Sequence, residues 1–527
     1  MTEPLYDRLE RLEKNDTHRL LGGALHGIEK EGLRVDQAGA ISRTPHPGGL
    51  GSSLTNRYIT TDFSESLLEL ITPVVTDPAA ALHFLQAIHQ YTYAVLDEEL
   101  IWVSSMPCRI DDPSVIPIAR FGTSNIGRMK HIYRIGLQHR YGKMMQSIAG
   151  IHYNFSLPDE FWESYRALLN NHESLQSFKS SGYFTMIRNF RRHSWLLLYL
   201  FGASPALSRS FLGEDTKYLE PLHDDSLFLP WATSLRMSNL GYSNSAQSSI
   251  NICFNQINTY IKTLTEAINT VHPEFEKIGV VVDGEYRQLS ATVLQIENEF
   301  YSDIRPKRVP ARGESALQAL KRGGVEYVEV RNIDVNPLLP LGIDLEQAVF
   351  LDMFLIASLL MGDTEVSPAE CLIIADNLNT VTTRGRQPEL RLSAMTGDVS
   401  LRDAGIQLIG QFSPLADLLD RLHSSDIYSR SLQVQLEKLE DPSLTPSARI
   451  LHALQWSGLE YSEWVLEISR ERRRSIEKAP QDPAVLDRLS IEAKNSLTRQ
   501  AELESSDTMD FDTFLRTYRT QDADSDS

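Results

Sequence analysis

Apolar and polar residues alternate along this chain with several distinct periods, and each period predicts an element. Leu5, Leu9 and Leu12 recur at helical spacing in a charged stretch, predicting an amphipathic N-terminal helix and not a signal peptide. From Gly27 to about Pro73 the period shortens to two and turn residues intervene. GIEKEGLRV, the loop TPHPGGLGSS and YITTDFSESLLELITP therefore predict strand, loop, strand. Residues 79–101 carry Leu82, Leu85, Ala87, Ile88 and Leu96 three to four apart, which predicts a helix backing those strands. A turn-rich region, Val103 to Gly127, leads into RMKHIYRIGLQHRYGKMMQ, a basic amphipathic helix, and the strand-like IAGIHYNFSLP. Residues 159–212 are mostly helical in pattern, and 221–255 are irregular, rich in Asn, Ser and Gly. VLQIENEFYSDIRPKR and GVEYVEVRNIDVNP alternate again, predicting strands with one wet face. From about Gly342 the pattern is almost wholly helical, and residues 505–527 are polar enough to predict a frayed end.

Composition narrows the class. With 527 residues, 42% hydrophobic and 23% charged, burying a large core is no difficulty. The formal net charge of −19 argues against nucleic acid or an anionic membrane as a partner, so any polyanionic ligand must meet a local basic pocket. Cys108, Cys253 and Cys371 are far apart and odd in number. Neither a disulfide framework nor a zinc cluster follows, and a reducing cytoplasm is expected. Neither apolar stretch, Trp195 to Gly202 or Val349 to Met361, is long enough to span a membrane.

The candidate chemistry lies in carboxylates on strands. Glu29 and Glu31, two apart, project from one face of a strand and form a platform for divalent metal. Alone the pair is weak, because a solvated edge strand shows the same pattern. Three further acidic segments strengthen it: Asp62, Glu65 and Glu69, then Glu297 and Glu299, then Glu329. Carboxylates among Ile, Val, Leu and Phe are costly to bury unless cations share them, and such hard oxygen ligands suit Mg²⁺ or Mn²⁺. His152 shares a face with Asn154, although a lone strand histidine is more often a hydrogen-bonded core residue than a ligand, and Arg331 lies two residues beyond Glu329, where a guanidinium suits an anionic substrate group. Basic residues cluster at Arg134, Lys130 and Arg128 and at Arg305, Lys307 and Arg308, the expected contacts for a triphosphate, although any one of them could equally belong to a solvated basic patch. Neither a P-loop nor a Rossmann glycine motif is present, so ATP, if used, would bind in another way.

GIEKEGLRV, TTDFSESLLELITP, WVSSMPC, GTSNIGRMKHIYRIGL, IAGIHYNFSLP, IENEFYSDIRPKR and VEYVEVRNIDVNP, in that order from about residue 20 to 340, resemble the glutamate–cysteine ligase family in its proteobacterial form. The resemblance implies an α+β fold: a curved, mostly antiparallel sheet of about six strands forming a glutamine synthetase-like funnel wrapped by helices. It implies one catalytic unit, residues 1–527, with a motif-bearing core of about 20–340 and a helical part of about 342–527. Carried over by motif, Glu29, Glu31, Asp62, Glu69, His152 and Glu329 would hold two or three Mg²⁺ ions. Arg236 and Arg331 would grip the carboxylates of glutamate, and Phe63, Tyr242 and Tyr301 would shape a cysteine pocket. Arg134, Arg305 and Lys307 would contact the nucleotide phosphates, with Arg331, Glu329 and Arg236 nearest the chemistry. Cys108 would sit near the site, as an inert buried thiol or a redox-sensitive one.

The implied reaction phosphorylates the glutamate side chain with ATP and lets the amine of cysteine attack the acyl phosphate, the first step of glutathione synthesis, with glutathione expected as a feedback inhibitor. Two other readings stand beside it: a ligase of the same fold acting on another amine, and a catalytically silent nucleotide-binding regulator.

Overall fold

The structure, a computed structural model, describes residues 5–212, 218–240, 250, 252–311 and 313–523. Its centre is a seven-stranded sheet ordered β11-β12-β5-β1-β3-β2, with β4 pairing with β1 off that path. The strands are β1 (Leu25–Val35), β2 (Ile59–Thr61), β3 (Leu67–Ile71), β4 (Leu100–Ile101), β5 (Ile151–Ser156), β11 (Ile304–Lys307) and β12 (Tyr327–Ile333). Every pairing among them is antiparallel. The strands between are short: β6 (Ala206–Ser208), β7 (Glu220–Pro221) and β8 (Ser226–Phe228) form a three-stranded sheet, and β9 (Val281–Val282) and β10 (Glu285–Tyr286) a hairpin. β7 and β8 lie in the stretch the sequence pattern left irregular.

Most of the helices lie behind the central sheet, and the helix Asn125–Tyr141 stands over its other face. After α1 (Leu5–Lys14) come α2 (Pro78–Val95), α3 (Asn125–Tyr141), α4 (Asp159–Leu168) and α5 (Leu175–Phe201), then α6 (Ile257–Asn269), α7 (Pro273–Ile278), α8 (Ala316–Gly323) and α9 (Leu345–Leu360). Several starts have a local cause. Asp77 accepts the Ala79 N–H ahead of α2, and Pro78 occupies the first turn, where its missing N–H costs nothing. Asp344 caps α9 in the same way, through the Gln347 N–H. α2, α5 and α9 lie behind the sheet, α9 buried along its length. The remaining helices, α10 (Pro368–Arg384), α11 (Leu401–Gly410), α12 (Ser413–His423), α13 (Ile427–Glu440), α14 (Pro446–Ser457), α15 (Tyr461–Lys478), α16 (Pro483–Ser506) and α17 (Phe511–Ala523), bear out the helical reading of this part. One hydrophobic cluster runs from Leu5 to Leu489 and joins both halves of the chain. Among the described residues no helix is long and apolar enough to cross a membrane.

β1 is not the solvated edge strand that the spacing of Glu29 and Glu31 alone would allow, since it lies inside the sheet between β3 and β5. Both of its faces are enclosed, and both carry charge. Glu29 and Glu31 point to one side, while Lys30 and Arg34 point to the other, Lys30 into the helical layer and Arg34 among loops. There Lys30 Nζ lies 2.8 Å from His89 Nε2 on α2. The Arg34 guanidinium donates to Glu99, Thr44 and the carbonyls of Thr44, Pro45 and Glu65.

The C-terminus also departs from expectation. Residues 511–523 form α17, and Phe511 and Leu515 pack with Met129, Ile132 and Leu289 in a small cluster separate from the main core.

Candidate active site

Antiparallel register lines up the polar residues. Glu29 on β1 faces His152 on β5, and Glu31 faces Glu69 on β3. Asn154 on β5 faces Glu329 on β12, which in turn faces Arg305 on β11. Directly paired residues project from the same face, so the period-two spacing within strands and the register between them place all of these on one surface. α3 and the segment 296–301 close over it.

The result is a cavity of about 480 Å³ whose wall includes Glu29, Glu31, Asp62, Glu69, His152 and Glu329. Arg236, Arg331, Phe63 and Tyr301 share the wall, as do Arg134, Arg305 and Lys307. Every metal, substrate and nucleotide contact carried over by motif therefore shares this wall except Tyr242, which lies outside the described residues, whereas Arg128, Arg308 and Cys108 are not on it. A larger cleft of about 860 Å³ opens between α5, α6 and α8, but its wall mixes serines, lysines and glutamates and assembles no such cluster.

Two groups of donors stand out: Glu29, His152 and Glu329, and Glu31, Glu69 and His152, each with one donor atom per residue within 4.8 Å of the others. Within the first group, His152 Nδ1 lies 3.2 Å from Glu29 Oε2, and Asn154 Nδ2 donates to Glu29 Oε1 at 2.9 Å. Arg331 Nη1 is 2.9 Å and Lys307 Nζ 3.2 Å from the two oxygens of Glu329. Glu31 Oε2 accepts the Gly150 N–H at 2.6 Å. A donor set of carboxylates with one imidazole fits Mg²⁺ or Mn²⁺.

Charge is unevenly balanced in this cluster. Burial works to raise the Glu329 carboxyl, but the cations of Lys307 and Arg331 outweigh it and hold Glu329 well below its ordinary range. Glu29 also ends below its ordinary value, burial being outweighed chiefly by the hydrogen bond with His152. Glu31 is raised by burial, and Asp62 adds to the effect. Burial and then the charges of Glu29, Asp62, Glu31 and Glu329 push Glu69 well above its usual range. A bound cation would relieve that repulsion.

The cations differ in their freedom. Arg134 stacks on Phe121 at 4.4 Å, donates to the carbonyls of Asp62 and Lys130, and keeps Nη2 3.9 Å from Asp62 Oδ1. Arg305 donates to the carbonyls of Phe300 and Asn298. Arg236, buried, donates to the Arg331 carbonyl at 2.9 Å and lies against Gly150, where a Cβ would sit 2.0 Å from its Nη2. Only glycine permits that approach. The Tyr301 hydroxyl reaches Met237 Sδ at 3.0 Å, and Arg236 Nη1 reaches the same sulfur at 3.3 Å.

Several acidic residues singled out in the sequence have other work. Glu297 and Glu299 lie in a 3₁₀ turn and not on a strand. Glu297 accepts the Ala316 N–H at the start of α8, and Glu299, although on the cavity wall, pairs with Arg140 at 3.0 Å and accepts from Tyr141 at 2.6 Å. Glu65 sits in the turn before β3 and accepts the N–H groups of His46 and Arg120. Asp62 follows β2 in a turn, its side chain about half exposed. Arg128 stacks on Phe511 and Arg308 bonds the Gly324 carbonyl, both away from the cavity. Cys108 is buried in the main core and is not on the wall, and burial pushes its thiol up to about 12. Lys130 does line the cavity, and burial together with Arg134 lowers its ammonium to about 8. Its place in the basic cluster of α3 was the available signal.

Comparison with known proteins agrees with this geometry. A family model described as glutamate–cysteine ligase matches residues 9–381. The glutamate–cysteine ligase of Azotobacter vinelandii is 47% identical over 522 residues, covering 98% of both chains, and that of Hahella chejuensis is 46% identical over 525 residues, covering 99% of this chain and 100% of the other. Among solved structures, the glutamate–cysteine ligase of Francisella tularensis in complex with AMP superposes with a TM-score of 0.89 at 34% identity, covering 95% of this chain and 98% of that one. A bifunctional glutathione synthetase from Pasteurella multocida gives 0.72 at 25% identity, covering 92% of this chain and 58% of that one. Matched over nearly its whole length by such relatives and over most of it by the family model, the chain belongs to the glutamate–cysteine ligase family.

Proposed function

We propose that this glutamate–cysteine ligase makes γ-glutamylcysteine through a γ-glutamyl phosphate formed from ATP in the cavity described above. The observation that carries the reading is the face shared by Glu29, Glu31, Glu69, His152 and Glu329, with Arg331 and Lys307 on either side of Glu329. Those five residues, with Asp62, would hold Mg²⁺ or Mn²⁺, which when bound would offset the charge of the triphosphate and of the reacting carboxylate. Arg236 and Arg331 present guanidinium groups to the carboxylates of glutamate, and Phe63 and Tyr301 shape the pocket for cysteine. Lys307, Arg305 and Arg134 face the nucleotide phosphates. The relative in complex with AMP supports a nucleotide in this fold.

Two anions must meet for the first step, and the interleaved cations of the wall lower that barrier by holding both in line. The amine of cysteine must then arrive neutral, and the enclosing wall of α3 and 296–301 limits hydrolysis of the acyl phosphate. The same reading makes residues 1–527 one catalytic unit, its sheet a glutamine synthetase-like funnel, working in the cytoplasm and inhibited by its downstream product glutathione.

The test uses glutamate labelled with ¹⁸O in the side-chain carboxylate, together with ATP, Mg²⁺ and cysteine. Transfer of label to inorganic phosphate, with ADP matched by γ-glutamylcysteine, is the expected result. Phosphate free of label would sink the acyl phosphate, and ADP release without the dipeptide would send the search to another amine.

A further inference from the structure

Asp334 leaves β12 within NIDVNP and is enclosed, with 0% of its side chain exposed. Its Oδ2 accepts the Ala203 N–H at 2.8 Å and the Ser204 hydroxyl at 2.7 Å, and its Oδ1 accepts the Ser234 hydroxyl at 3.0 Å. One carboxylate thus joins three segments: the end of β12, the approach to β6 and the turn that carries Arg236. Two links run from it to Arg236. Oδ1 stands 3.6 Å from Arg236 Nη1, and Ser204 Oγ, held by Oδ2, accepts the Arg236 backbone N–H at 3.3 Å. A buried carboxylate with this many partners is costly to disturb, because each partner would be left unsatisfied. Asp334 is not on the cavity wall, whereas Arg236 is.

We propose that Asp334 is the positioning residue of the amino-acid subsite. Its carboxylate touches no substrate, and fixes both the backbone and the guanidinium of Arg236 at the orientation in which that group meets an amino-acid carboxylate. The proposal rests on the reading of Arg236 given above.

The test compares Asp334→Asn, which keeps the shape but removes the charge, with Ser204→Ala and Ser234→Ala, which remove hydroxyls but keep it. KM for glutamate, cysteine and ATP and kcat are measured for each full-length variant, alongside the melting temperature. Asp334→Asn is expected to raise KM for an amino-acid substrate by about tenfold, equivalent to about 1.4 kcal/mol, with KM for ATP within about twofold. The serine variants should shift the amino-acid KM by less. A folded Asp334→Asn with unchanged amino-acid KM, equal rises for ATP and amino acid, or serine variants matching Asp334→Asn would each overturn the proposal. Should Asp334→Asn not fold, Asp334→Glu and Arg236→Lys, singly and together, take its place: coupled effects on amino-acid KM support the proposal and additive ones overturn it. Arg236→Gln separates the two readings. If it leaves both amino-acid KM values unchanged, the role of Arg236 fails and this proposal falls with it; if it raises one while Asp334→Asn does not, only this proposal fails.

Discussion

Glu329 and Glu69 share one buried wall and end with opposite charge preferences. Lys307 and Arg331 keep the first ionised, while burial and its acidic neighbours favour the protonated form of the second. The protein supplies cations to one part of the cluster and leaves the other part short of them. Glu29 stands between the two, bonded to His152 and Asn154, so Glu29→Gln should lower turnover by about a hundredfold or more while leaving the melting temperature nearly unchanged. A wild-type rate would remove Glu29 from the working wall. Gly150→Ala tests the other side: its methyl would collide with Arg236, cost on the order of 1–3 kcal/mol and raise KM for an amino acid more than for ATP. Equal kinetics for the two proteins would show that the close approach has no role. At this scale His152 entered the set through the family resemblance, while the period-two rule made the faces shared by Glu29 and Glu31 and by Glu329 and Arg331 legible. It misplaced Glu299, because the neutralising Arg140 comes from α3, far away in the chain, and nothing local marks such a pairing. Asp334 escaped notice for the same reason: its partners lie on segments about a hundred residues or more upstream.

α17 shows how an element can be hidden by its composition. Its acidic and hydroxyl residues read as a frayed tail, yet Phe511, Phe514, Leu515 and Tyr518 recur at helical spacing and meet the outer side of α3, whose inner side carries Lys130 and Arg134. Arg128 stacks on the Phe511 ring at 4.5 Å, and Asn125 donates to the Met509 carbonyl. Because this cluster is detached from the main core, Phe511→Ser should act locally, at a cost on the order of 3 kcal/mol. Hydrogen exchange should quicken in α3 and α17 while β1 and β5 stay protected. Uniform loss of protection would instead make the cluster part of one cooperative core. The long helices and the main strands were legible from their periods, since those residues face one partner surface throughout. β6 to β8 were not, because two- or three-residue strands leave no period to read.

Across the whole molecule, several imidazoles are held uncharged. Burial lowers His89 well below its ordinary range, with Lys30 adding to it, and lowers His46 and His193 to about 4. An unfolded chain binds these protons below about pH 6.5 and the folded one does not, so their contribution is complete above pH 6.5 and is lost as pH falls toward 4. Denaturant midpoints should decline over that window, and His193→Gln should flatten the decline. An unchanged slope would place the acid sensitivity elsewhere. β1 carries a consequence for how the chain reaches this state. Its acidic and basic residues alternate between two enclosed environments of opposite need, so sliding the strand by one residue against β3 and β5 would thrust Lys30 among the carboxylates and press Glu29 and Glu31 into the helical layer beside His89. Misregistered pairings would thus be rejected by electrostatic mismatch on both sides at once, and the charges that prepare the cavity would also proofread its assembly.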